Sequence, residues 1–238
     1  MSVANPPNAN HAASSLEDDF CVVIFAKAPV AGRCKTRLAR GVGSRRAAHI
    51  YRAMLEHAVA MTRAATCGRV LIACAPDTRH PFLRHLARRY AVTCHRQARG
   101  DLGTRMARGI ALGRRYARRV ILIGSDQPAL AGAWLHEARC ALAHDGPRAW
   151  LAPTRDGGYW GIGLNRPRPQ IFRGPRWSTP RVAIATRTAL ARQGFAVSEA
   201  PVRNDIDEPR DWQRLSIGLR SHLARRACLP DTTAFDPT

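Results

Sequence analysis

From residue 20 onward, short apolar runs alternate with longer segments in which apolar residues recur every three or four positions. Cys21 to Ala26 is uninterrupted apolar sequence ending at Lys27, too short for a helix, and it predicts a buried strand. A polar, basic stretch (27–37) leads into a helix. Ser44 is placed to cap a second helix, in which Ala47, Tyr51, Met54, Leu55, Ala58 and Met61 keep the spacing of one buried face. Gly68 ends that helix and residues 70–75 form the next strand. A basic helix (81–90), a strand (91–95), a Gly-Asp-Leu-Gly turn opening a helix to about 117, and the apolar strand 120–123 follow. Beyond it the pattern predicts a helix over 131–143, strands at 150–153 and up to Leu164, a Pro/Arg-rich connection (166–176), a helix over 181–193, a strand at 195–200 and a last helix over 209–225.

Buried strands alternating with amphipathic helices imply a three-layer α/β/α domain with a mostly parallel sheet covered on both faces. Residues 20–220 are expected to form that single domain, and the sequence shows no internal repeat. Residues 1–19, with neither a positive start nor an apolar core, read as a disordered leader rather than a signal peptide, and 221–238 as a loose tail. The polar, glycine-containing segments 27–37, 100–103, 124–128 and 155–160 each come just after a strand. In a parallel sheet such segments gather at one edge, where ligands bind.

Charge changes the picture in one respect. The net charge is +21, with 38 Lys plus Arg against 17 Asp plus Glu, but the arginines are spread along the whole chain and aromatics are only 6%. Without a basic block, a stacking platform or a nucleic-acid-binding signature, the charge favours small polyanionic ligands over a specific nucleic-acid partner. Seven cysteines, never closer than seven residues apart, exclude a Cys-x-x-Cys metal pair and fit reduced cytosolic thiols. No apolar run approaches membrane-spanning length, and a soluble cytoplasmic protein is expected.

The chemistry concentrates in four places. The only two lysines of the chain, Lys27 and Lys35, stand in Lys27-Ala-Pro-Val-Ala-Gly32-Arg33-Cys-Lys35-Thr-Arg37. Where arginine serves everywhere else, two lysines mark positions needing a compact ammonium, and a basic glycine-containing loop between strand and helix suits phosphate. It is not a Walker A loop, because Pro29 and Cys34 occupy the glycine positions. In Gly124-Ser-Asp126-Gln-Pro128 a carboxylate follows the most apolar strand; it either holds a hard divalent cation or caps the next helix. In Asp205-Ile-Asp207 the two acids share one side of an extended chain while Ile206 points to the core; one of them would complete the cation site, or the segment simply starts the last helix. Asp156-Gly157-Gly158-Tyr159 combines a close-approach backbone, a carboxylate able to act as base or bind hydroxyls, and an aromatic face, or is a glycine hairpin bearing a core aromatic. Asp101 contacts a ribose or base, or caps its helix. Trp177-Ser-Thr179 closes the pocket, or is a core tryptophan with a helix cap.

Six motifs in order carry a resemblance: Lys27-Ala-Pro through Lys35-Thr-Arg-Leu38, Gly100-Asp-Leu-Gly-Thr-Arg-Met106, Gly124-Ser-Asp-Gln-Pro128, Pro153-Thr-Arg-Asp-Gly-Gly-Tyr159, Trp177-Ser-Thr179 and Asp205-Ile-Asp-Glu-Pro209. Over roughly residues 20–215 the chain resembles the bacterial GT-A-like family labelled arsenosugar-biosynthesis glycosyltransferase, of the nucleotide-diphospho-sugar transferase superfamily. It is also similar to phospholactate guanylyltransferases and, more distantly, to molybdenum-cofactor guanylyltransferases. In these guanylyltransferases the basic loop holds a nucleoside triphosphate and the aspartate holds Mg²⁺. The Gly-Gly-Thr-Asn acceptor element of the phospholactate enzymes is replaced here by Gly157-Gly158-Tyr159-Trp160, which implies a different acceptor.

Together these readings predict a Mg²⁺- or Mn²⁺-dependent transferase using a nucleotide sugar, or alternatively a nucleoside triphosphate, with a small-molecule acceptor. Lys27, Gly32, Arg33, Lys35, Arg37 and Asp101 are expected to bind the nucleotide. Asp126 with Asp207 would hold the metal, Asp126, Asp156 and Lys35 would carry the chemistry, and Gly157, Gly158 and Tyr159 would meet the acceptor. A reading of another class is a catalytically inactive polyanion-binding module.

Overall fold

The computed structural model describes residues 19–66 and 68–227; the expected leader before Asp19, the tail beyond Ala227, and Cys67 and Cys228 lie outside them. The strands are β1 (Phe20–Lys27), β2 (Arg69–Ala75), β3 (Thr93–Arg96), β4 (Arg119–Gly124), β5 (Arg148–Pro153), β6 (Tyr159–Leu164) and β7 (Ala196–Glu199). They form one seven-stranded sheet in the order β3-β2-β1-β4-β6-β5-β7. β6 is antiparallel to both its neighbours, and the remaining pairings are parallel. The helices are α1 (Thr36–Val42), α2 (Ser44–Ala65), α3 (Pro81–Arg89), α4 (Leu102–Gly113), α5 (Gly132–Ala143), α6 (Val182–Arg192), α7 (Pro209–Arg214) and α8 (Ile217–Ala227), with a 3₁₀ turn at Pro169–Phe172.

β1 shows why the sheet is three-layered. Its even positions, Phe20, Val22, Ile24 and Ala26, enter one apolar cluster, while Cys21 and Val23 enter the other. A strand apolar on both faces has to be covered on both. The first cluster takes side chains from α1, α2, α3, α5, α7 and α8, among them Leu38, Met54, Leu83, Leu135, Trp212 and Leu223. The second is closed by Met106 and Ile110 of α4, Ile171 and Phe172 of the turn, and Leu190 of α6.

Several boundaries differ from the expectation, each for a local reason. Ser44 is the first residue of α2 and not its cap; Gly43, at φ +82°, occupies that position because the tight α1–α2 corner needs a left-handed residue. β3 runs over 93–96, displaced by the turn at Ala91 (φ +50°) that leaves α3. α5 begins at Gly132, so neither Asp126 nor Pro128 starts it. The last helix is two, broken where Leu215 is extended at ψ 144°. α4 stops at Gly113, short of the expected end.

α4 lies close to the sheet because Gly109 faces it. A Cβ there would stand 2.6 Å from Leu122 Cδ1 and 2.7 Å from Phe25 Cε1. A helical Gly→Ala change gains up to about 1 kcal/mol of propensity, whereas overpacking a tight core costs about 1–3 kcal/mol. Gly109→Ala is therefore expected to lower unfolding stability in urea despite the better helix former. Gly218→Ala in α8, where a Cβ meets nothing within 4 Å, is expected to be neutral or stabilising by up to about 1 kcal/mol.

Candidate functional site

Because β6 alone is reversed, the carboxyl ends of the other six strands and the β5–β6 hairpin loop share one edge. There the basic loop leaves β1. Ala28 N donates to Ala75 O at 2.7 Å, and Arg33 N and Cys34 N both donate to Val30 O, at 3.0 and 3.2 Å, folding 30–34 into a compact turn. Gly32 allows it at φ +76°. Cys34 is buried beneath, where burial raises its thiol pKa and keeps it a neutral anchor. Lys27, Arg33 and Arg37 stay exposed as a basic rim.

Lys35 goes the other way. Its backbone is left-handed (φ 46°, ψ 45°), uncommon for a residue with a Cβ, and its side chain is 5% exposed. Nζ lies 2.8 Å from Asp207 Oδ1 and 3.0 Å from Asp126 Oδ2. Burial opposes the charged ammonium, but the two carboxylates outweigh it and hold Lys35 above the ordinary lysine pKa. Asp207 is correspondingly held below the usual carboxylate value, Lys35 overcoming the effect of its own burial, with Arg37 Nη1 3.8 Å from Oδ2. The ammonium is enclosed while Asp126 and Asp207 remain 40% and 49% exposed, so the acids roof it and still face solvent.

The second acid arrives along an unusual path. After β7 the chain crosses the edge of the sheet: Ala200 N donates to Leu151 O, Arg203 N to Pro153 O, Arg155 N to Arg203 O, and finally Ile206 N to Asp126 O at 3.3 Å. Ile206 is fully buried, and the acids on either side of it are only partly so. Asp207 takes the Lys35 contact. Asp205 is raised from 3.8 to about 6, first by burial and then by the charge of Asp156. Glu208 and Asp211 form a capping box that starts α7 at Pro209, so this segment both begins a helix and supplies the site.

Asp156 sits in the exposed tip of the β5–β6 hairpin, accepting from Thr154 Oγ1 and from Gly158 N at 3.0 Å. Gly157 (φ +84°) presses on the chain before α6, where a Cβ would fall 1.9 Å from Pro180 O, and its carbonyl accepts from Ala183 N. The expectation of an open aromatic face at Tyr159 is corrected: its ring packs on the second cluster and its hydroxyl points at Met106 Sδ, 3.6 Å away. Alternation along β6 turns it inward. Asp101 caps α4 through Thr104 N at 2.7 Å. The Trp177 indole lies against Gly103 and the second cluster, and Thr179 does not cap α6, since Arg181 holds that position.

Two residues escaped the sequence reading. Tyr51, from α2, and Ser125 bridge the ends of β1 and β4 with buried hydroxyls. Tyr51 keeps the spacing of an ordinary core position, which hides it.

Asp126 and Asp207 converge on the Lys35 ammonium, and both carboxylates stay partly exposed as hard oxygen donors, the donor type that suits Mg²⁺ or Mn²⁺. Among the described residues no three His, Cys, Asp or Glu converge as a metal-binding set. Two carboxylates therefore fit a cation whose shell ligand phosphates and water complete.

Residues 58–179 match the family described as "Uncharacterized protein conserved in bacteria (DUF2064)". The chain belongs to DUF2064. That match takes in Asp101, Asp126 and Asp156 and leaves out the basic loop and residues 204–209. The DUF2064 chain is similar to a Desulfovibrio desulfuricans G20 protein provisionally named as a nucleotide-diphospho-sugar transferase: 27% identity, TM-score 0.75, covering 87% of this chain and 95% of that one. It shares its fold with CMP:2-keto-3-deoxy-manno-octonic acid synthetase complexed with CTP (13%, TM-score 0.50, 87% and 99% covered). The same holds for 4-diphosphocytidyl-2C-methyl-D-erythritol synthase from Anaerococcus prevotii DSM 20548 (9%, 0.53, 88% and 100%). No curated protein matches the chain. The three-layer fold is that of nucleotide-diphospho-sugar transferases and nucleotidyltransferases. No helix among the described residues is long and apolar enough to cross a membrane.

Asp205 makes the site sensitive to pH. Its folded pKa, about 6, lies above the unfolded 3.8, so the native state binds the extra proton between these values and loses stability as pH rises through them. In metal-free buffer Asp205→Asn is expected to be more stable than the native chain at pH 8, by about 1–3 kcal/mol, with the advantage vanishing near pH 4. Urea unfolding at the two pH values measures it.

Proposed function

We propose that this DUF2064 chain is a cytoplasmic, Mg²⁺- or Mn²⁺-dependent transferase that moves a glycosyl group from a nucleotide sugar to a small-molecule acceptor. The observation that carries this reading is the Lys35 ammonium buried under Asp126 and Asp207, inside a rim of Lys27, Arg33 and Arg37. The provisional name of the Desulfovibrio protein and the resemblance to glycosyltransferases labelled for arsenosugar biosynthesis support the same donor class.

The residues divide the work by charge. The exposed cations of the rim draw in and neutralise a diphosphate, which has to be stabilised as it departs. Asp126 and Asp207 hold the divalent cation. A bound Mg²⁺ or Mn²⁺ supplies Lewis-acid stabilisation of the leaving diphosphate. Lys35 keeps the two carboxylates at a fixed separation and adds a positive charge below them. On the other side, Asp156 on its glycine-flanked hairpin binds acceptor hydroxyls, and its charge acts on Asp205.

One observation favours a second reading, nucleotidyl transfer from a nucleoside triphosphate. Asp126 is followed by Gln127-Pro128 and preceded two residues earlier by Gly124, so neither possible partner position of an Asp-x-Asp pair is acidic. The basic loop serves a departing pyrophosphate equally well.

A thermal-shift panel of nucleotide sugars and nucleoside triphosphates, each with and without Mg²⁺, separates the readings. Metal-dependent stabilisation by one nucleotide sugar and not by its triphosphate supports glycosyl transfer; preference for a triphosphate moves the assignment to nucleotidyl transfer. No metal-dependent shift with any of them leaves an inactive polyanion-binding module. With the substrate so identified, Lys35→Ala and Asp126→Ala are each expected to cost about 10²–10³ in turnover, and wild-type rates in both would sink the assignment.

A further inference from the structure

β1 and β4 are paired from Phe20↔Arg119 to Phe25↔Gly124 and then part, because their continuations lead to different loops. The split is the crevice on which the site is built. It is filled by the Tyr51 hydroxyl, carried in from α2. Lys27 N donates to Tyr51 Oη at 2.8 Å, and Oη lies 2.9 Å from Ser125 Oγ. Tyr51 and Ser125 are each 3% exposed.

The location gives this chain of hydrogen bonds its meaning. Lys27 opens the basic loop and Ser125 immediately precedes Asp126. The paired register of the two strands ends before either residue, so beside the Lys35–Asp126 ion pair a side chain from outside the sheet ties the start of the loop to the residue before the acid. A buried polar group left without its partner costs about 1–3 kcal/mol, enough for one arrangement to dominate when the chain is complete. We infer that Tyr51 and Ser125 are positioning residues, holding the phosphate-binding loop and Asp126 at the separation at which both reach one diphosphate. This rests on the function proposed above.

The test uses magnesium pyrophosphate, the diphosphate unit common to both transfer readings, titrated calorimetrically into the full-length protein and into Tyr51→Phe, Ser125→Ala and the double variant. Tyr51→Phe removes one oxygen and keeps the buried ring. Each single variant is expected to bind about tenfold more weakly, and the double no more weakly than either single, since both break the same chain. A merely structural role would lower the melting temperature and leave Kd where it was. Binding within about twofold of wild type in both singles, or fully additive losses in the double, overturns the inference and leaves the proposed function standing. If wild type itself does not bind magnesium pyrophosphate, the proposed function falls and this inference with it. Should Tyr51→Phe not fold, Ser125→Ala alone decides the question.

Discussion

One ammonium, shared by two carboxylates from distant parts of the chain, is the constraint on which the site depends. Lys35 comes from the loop after β1, Asp126 from the end of β4 and Asp207 from the segment before α7. Burying a lysine charge costs several kcal/mol, and only well-placed carboxylates offset it. The loop, the strand end and the crossing segment therefore adopt their positions together or not at all. The left-handed backbone of Lys35 has the same origin, since the turn that frees Lys27, Arg33 and Arg37 outward has to send Lys35 inward.

The sheet makes that convergence possible. Reversing β6 alone brings the tip of the β5–β6 hairpin to the carboxyl edge, beside the ends of the parallel strands. The chain after β7 then runs along the same edge, bonded successively to β5, the hairpin and Asp126. Asp205 there comes under the charge of Asp156, and burial first and that charge second push it up to about 6. In the strand order the basic loop after β1 lies on one side of the end of β4, and the β5–β6 hairpin with Asp156 lies on the other.

The fold is shared with enzymes of different chemistry, including a synthetase complexed with CTP, so the layer architecture decides little about the reaction. The edge of the sheet carries local features of its own: a buried glutamine after Asp126, a tyrosine turned into the core at 159, and a glycine at 157 where the hairpin presses on Pro180.

The sequence by itself determined the layers, because strands such as β1 are apolar at both alternating positions and can exist only when covered on both faces. It also marked the basic loop, since its two lysines are chemically distinct in a chain that otherwise uses arginine, and it marked the acids at 126, 156, 205 and 207, since each follows a strand or a turn. Only the tertiary structure decided which acid meets which cation. Asp205 and Asp207 lie on the same side in any extended segment, and it is the hydrogen bond from Ile206 to Asp126 that sends 207 to Lys35 and 205 toward Asp156. Tyr51 was invisible for a related reason. Its spacing along α2 is that of a core residue, and its hydroxyl acquires a partner only when two strands distant in sequence part beneath it. Periodicity reports burial; it does not report what a buried polar atom will touch.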